Sequence, residues 1–145
     1  SGYHSDCARM AVCGTMPDGA LEIYEKTREL LRFCEETIRE GSTPSKIYEE
    51  MVALANEKGI GDNFMGPGSL AVKFTGHSVG LEVNELPVLA PRFDEPLVAG
   101  NTLAIEPKYT HPDWGVIGVE NTYAVRNDRL ENLTEISEDI ISVAG

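Results

Sequence analysis

A change of apolar periodicity near residue 60 constrains the fold more than any other feature of this sequence. Before it, apolar residues recur at spacings of three and four; after it, they fall in short runs separated by Gly and Pro. Residues 19–40 are expected to form a helix, because Ala20, Ile23, Tyr24, Thr27, Leu31, Cys34 and Ile38 share one face. Asp18 is the expected N-cap and Gly41 the expected stop. The charges of Glu25, Arg28, Glu29, Arg32, Glu36, Arg39 and Glu40 make up the solvated opposite face. Thr43 before Pro44 signals a second helix running to about residue 58, with Ile47, Met51, Leu54 and Ala55 inward and Gly59 as its end.

The remaining segments are short. CARMAVC (residues 7–13) is expected to be a strand, followed by the turn GTMPDG. GIGDNFMGPGS is loop-like, with four glycines and a proline. LAVKF, VGLEV, TLAIEP, GVIGVENTYAV and DIISV are the further expected strands, and the three-proline stretch LPVLAPRFDEPLVAGN an extended loop. One strand, two helices and then many strands is an α+β order, with helices packed on one face of a mostly antiparallel sheet. A length of 145 residues suits one domain. No repeat or linker divides it.

The chain has 12 Lys+Arg against 24 Asp+Glu, a net charge of −12. That balance argues against nucleic acid, which needs clustered positive charge. No apolar run approaches the roughly 18–20 residues of a bilayer span, so no membrane partner is expected. No signal peptide is visible at the first residues. Cys7, Cys13 and Cys34 form no CxxC pair and suit reduced, buried thiols in a cytoplasmic protein.

Four side chains with metal-binding chemistry stand among apolar neighbours: Asp6, His77 in FTGHSVG, Glu106 in TLAIEP and Glu120 in GVIGVEN. Singly, a Glu at a strand end is usually solvated or paired, and a His between glycines is usually a turn residue. Together, three carboxylates and an imidazole converging on a point would repel without a cation between them, and a divalent metal removes that cost.

The wording around these residues resembles the pita-bread metallopeptidase family, which includes methionine aminopeptidase, prolidase, aminopeptidase P and the non-metal enzyme creatinase. GYHSDCARMAVCG resembles the family strand ending SD-x-TR, and GHSVGLEVNELP resembles GHGIGLEVHE-x-P. LVAGNTLAIEP resembles L-x-x-GM-x-x-TIEP, and GVIGVENTYAV resembles GVRIED-T-x-x-V. REGSTPSKIYEEM is similar to the stretch between the family's two helices, and the resemblance extends to about Thr134. It implies a pita-bread α+β fold: a curved, mostly antiparallel sheet, helices on its convex side and the site in the concave middle. It implies Asp6, His77, Glu106 and Glu120 as metal ligands, with Asp6 and Glu120 bridging two metals and Glu106 also the catalytic base or proton shuttle. The implied cofactor is a divalent metal, Mn, Co, Fe or Zn, two per full site. The implied activity is hydrolysis at the N-terminal end of a peptide, nearest to a Xaa-Pro dipeptidase or Xaa-Pro aminopeptidase.

Three departures from the family pattern stand out. A further family aspartate upstream of the Asp6 position would fall before Ser1, so residues 1–145 are expected to be the larger, C-terminal part of one catalytic domain, retaining one of two metal positions. An unpaired sheet edge would then make a homo-oligomer or a preceding segment the expected partner. Asn84 stands where the family usually has a second histidine that contacts the substrate; an amide donates a hydrogen bond but carries no proton charge. Gly118 replaces an arginine of the prolidase branch. These departures keep two alternatives open: a catalytically silent binding module of the same fold, and a creatinase-type non-peptidase hydrolase. His4 is expected to pack on the first strand, and His111, in YTHPDWG, to lie at the surface.

Overall fold

The computed structural model describes residues 2–144. The chain order is β1 (Ala11–Cys13), α1 (Ala20–Thr37), α2 (Pro44–Glu57), two single 3-10 turns, then β2 (Gly76–Ser78), β3 (Glu85–Leu89), β4 (Thr102–Ile105), β5 (Lys108–His111), β6 (Gly115–Gly118), β7 (Asn121–Val125), β8 (Leu130–Asn132) and β9 (Ile141–Val143). The central sheet has five strands in the order β3-β2-β4-β7-β8, all antiparallel. β5 and β6 form a separate hairpin, and β1 pairs in parallel with β9.

The two helices form where the periodicity places them, and both bury one stripe. α1 buries Tyr24, Thr27, Leu30, Leu31 and Cys34; α2 buries Pro44, Ser45, Ile47, Met51 and Ala55. Their ends differ from the expectation. Gly19, at φ 81°, precedes α1 in place of Asp18, and the helix stops at Thr37 because Ile38 turns extended and enters the core. Thr43 makes no side-chain cap, so α2 starts on Pro44 alone, whose fixed φ suits the first helical position.

The strand expectations hold unevenly. TLAIEP supplies β4, and GVIGVENTYAV divides into β6 and β7. LAVKF and VGLEV are not strands: Leu70, Leu81 and Val83 are exposed. The glycine-flanked GHS is instead β2, and ELPVL, expected to be loop, is β3. Gly76 explains the first reversal. A Cβ there would lie 2.5 Å from the Ala104 carbonyl oxygen, so only glycine lets β2 sit this close to β4. β3 accommodates Pro87 because it is the edge strand of the sheet. The first segment is shorter than expected: only Ala11–Cys13 is strand, and Ala8 makes one isolated bridge to Glu120.

Strand parity divides the sheet into two faces. Leu103, Ile105, Tyr123 and Val125 alternate onto one face and join Leu30, Leu31, Met51 and Ala55 of the helices in a single core. Ala104 and its cross-strand partners His77 and Thr122 lie on the other face, away from the helices.

Candidate functional site

The helix-free face gathers the four candidate ligands. His77 is on it directly, and Glu106 and Glu120 share the parity of Ala104 and Thr122 respectively. β4 and β7 pair as far as Ile105 with Asn121, so one step further Glu106 stands opposite Glu120. Asp6 arrives from the segment before β1. Its backbone N–H donates to Thr122 Oγ1 at 2.8 Å, and that hydroxyl donates back to the Asp6 carbonyl at 2.7 Å. Reciprocal bonds between Ala8 and Glu120, both 3.2 Å, dock the same segment against β7.

Asp6, His77 and Glu120 each offer a ligand atom, and these atoms all lie within 4.8 Å of one another. His77 and Glu120 are buried and Asp6 half-buried. His77 Nδ1 lies 3.0 Å from the Ser78 carbonyl, which can only accept, so in the neutral ring Nδ1 carries the proton and Nε2 presents its lone pair. Nε2 is 3.7 Å from Glu106 Oε1, while Glu106 Oε2 contacts the Lys108 ammonium. The Glu120 carboxyl is pushed up to about 7, first by burial and then by the negative charges of Asp6 and Glu106; Lys108 opposes the rise. Two carboxylates and an imidazole at this separation form an oxygen-and-nitrogen donor set that a divalent cation fits, and a cation would relieve the repulsion on Glu120. An open cavity of about 370 Å³ adjoins the group, lined in part by Glu106, Lys108, Gly118 and Glu120.

The other named residues stand apart. Asn84 is exposed in the loop between β2 and β3 and is no member of the converging group. His4 is not packed on a strand. Its segment is irregular, held by a 2.8 Å bond from its N–H to the Gly80 carbonyl, and the side chain is exposed. His111 is half-buried, stacked on Trp114 with ring centroids 3.6 Å apart. Trp114 also lines a small apolar cavity with Met10, Tyr24 and Ile117, away from the carboxylates. Of the three free cysteines only Cys34 is buried; Cys7 is half-buried and Cys13 exposed, while Met10 is the side chain of that segment that packs against the core.

Three residues with supporting roles escaped the sequence reading. Arg9 donates to the carbonyls of Glu120 (2.7 Å), Ile136 (2.8 Å) and Ser137 (2.8 Å) and to Asn121 Oδ1 (2.7 Å), stitching the Asp6 segment to β7 and to the chain beyond β8. Its position inside the apolar run CARMAVC was the available signal. Thr122 carried none, since its bonds to Asp6 span 116 residues; Lys108 stands two residues from Glu106 on the same extended segment, a local spacing.

The chain is similar to several known proteins. A Xaa-Pro dipeptidase from Pyrococcus furiosus is 27% identical over 139 residues, covering 96% of this chain and 38% of the relative. An X-Pro aminopeptidase from Thermotoga maritima superposes with a TM-score of 0.88 at 25% identity, over 98% of this chain and 38% of the other. A Xaa-Pro dipeptidase from Bacillus anthracis gives 0.86 at 30% identity, again over 98% and 38%. The fold is therefore that of the pita-bread proteins, of which this chain spans well under half the length. A sequence model described as metallopeptidase family M24 matches residues 1–127, and the chain belongs to that family.

Proposed function

We propose that this chain carries a divalent-metal centre for hydrolysing the N-terminal bond of peptides, of the Xaa-Pro dipeptidase or Xaa-Pro aminopeptidase kind. The observation that carries the reading is the mutual approach, within 4.8 Å, of ligand atoms from Asp6, His77 and Glu120 on the buried, helix-free face. Glu106, opposite Glu120, is the fourth ligand and the catalytic proton carrier. When bound, a divalent cation supplies Lewis acidity, acidifying water and polarising a peptide carbonyl. The chain's residues do the rest. Thr122 and Arg9 hold the Asp6 segment against β7. Ser78 fixes the His77 tautomer. Glu106 passes a proton to the departing amine. Asn84 contacts the substrate as a neutral amide donor.

Support for the substrate class comes from the names of the relatives, of which the chain spans 38%. The test is turnover of Xaa-Pro dipeptides, Xaa-Pro-extended peptides and Met-initiated peptides by the longest native form of the chain, with Mn or Co added, beside Glu106→Gln. Turnover of one class, lost in Glu106→Gln, is the expected result. Bound metal with no turnover of any peptide would instead point to Asn84 and Gly118 as marks of a changed substrate, and neither metal nor turnover would favour the silent binding module.

A further inference from the structure

Lys108 opens β5 directly across from Gly118 of β6. A Cβ on residue 118 would come within 2.8 Å of the Lys108 Cβ and 2.7 Å of the Pro107 carbonyl oxygen, so the bare glycine is what lets the hairpin close here with a lysine at 108. From that position the ammonium contacts Glu106 Oε2 and lies 5.8 Å from the centroid of the Phe74 ring. Glu106 is the one expected ligand outside the group whose donor atoms converge within 4.8 Å. A tethered cation thus already holds a carboxylate that the metal would use.

We propose that Lys108 is a built-in competitor of the metal: it engages Glu106 Oε2, leaves only Oε1, 3.7 Å from His77 Nε2, for the cation, and so lowers the site's affinity for it. The inference rests on the metal-centre reading above. A lysine ammonium is a compact point charge on a flexible stem, with no bidentate geometry. A positive charge retained near a divalent cation also repels it. Lys108 therefore lowers metal affinity and makes occupancy depend on the free metal concentration.

Calorimetric titration of the whole chain with Mn²⁺ alone tests this, using wild type, Lys108→Met, Lys108→Arg and Asp6→Asn, each first checked for an unchanged circular dichroism spectrum. Lys108→Gln substitutes should Lys108→Met fail that check. Lys108→Met, which keeps the stem and removes the charge, is expected to bind Mn²⁺ about tenfold tighter than wild type. Lys108→Arg is expected to show no gain. Equal or weaker binding by Lys108→Met overturns the proposal, as does an equal gain in Lys108→Arg, which would make the effect one of packing. If wild type binds, Asp6→Asn does not and Lys108→Met matches wild type, the Lys108 inference alone fails. If neither wild type nor Lys108→Met binds, the metal centre fails with it.

Discussion

Glu120→Gln should stabilise the metal-free protein at pH 8 and change it little at pH 4. In the folded chain the Glu120 carboxyl is raised from 4.5 to about 7, because burial and then the charges of Asp6 and Glu106 disfavour ionisation. The folded state therefore holds this proton more tightly than the unfolded chain. The resulting stability is complete below pH 4.5 and is lost as pH rises through 7. A displacement of that size corresponds to at most about 3 kcal/mol, of which about 2 kcal/mol is a reasonable expectation with water entering from the adjoining cavity. Glutamine keeps the side-chain length and never ionises, so it escapes the loss. Urea unfolding of both proteins in chelator, at pH 4 and pH 8, measures the difference. The order of stability should then reverse when Mn²⁺ replaces the chelator, since a cation stabilises only the form with its ligands intact. A Glu120→Gln protein less stable than wild type at pH 8 in chelator, or a gap independent of pH, would refute the reasoning.

Other substitutions probe the supports of the site. Arg9→Ala removes donors to five backbone carbonyls and to Asn121, and should cost about 3 kcal/mol in urea unfolding while speeding proteolysis near residues 134–139. Unchanged cleavage there would show that Arg9 does not hold that segment. Gly118→Ala forces a Cβ against Pro107 and Lys108 and should cost about 2 kcal/mol; a neutral thermal midpoint would mean that the hairpin opens freely. Among the described residues the buried Thr75 hydroxyl has no partner, so Thr75→Val should raise the thermal midpoint, and a fall would show that the hydroxyl is satisfied in solution.

What could be read from the sequence followed from how local each signal is. α1 and α2 were legible because a 3.6-residue period spans several turns, and Leu31, Cys34, Met51 and Ala55 are in the core. β2 was hidden because its strand character comes from Gly76 fitting under Ala104, a contact with a distant strand. β3 was hidden by Pro87, which an edge strand tolerates. LAVKF and VGLEV had strand composition, but tertiary packing left Leu70, Val72, Leu81 and Val83 exposed. His77 and Glu120 could be picked out by resemblance, and the structure brings them together with Asp6. Lys108 could have been picked out too, because two residues after Glu106 on an extended segment it shares that residue's face.

The most direct test of the account is the stoichiometry of Mn²⁺ binding, read by electron paramagnetic resonance on the whole chain and on His77→Ala. The account predicts saturable binding in the wild type, with the signal altered on binding, and its loss in His77→Ala at unchanged fold. Wild-type protein that leaves Mn²⁺ free in solution, or His77→Ala that binds it equally well, would contradict the claim that Asp6, His77 and Glu120 form a metal centre.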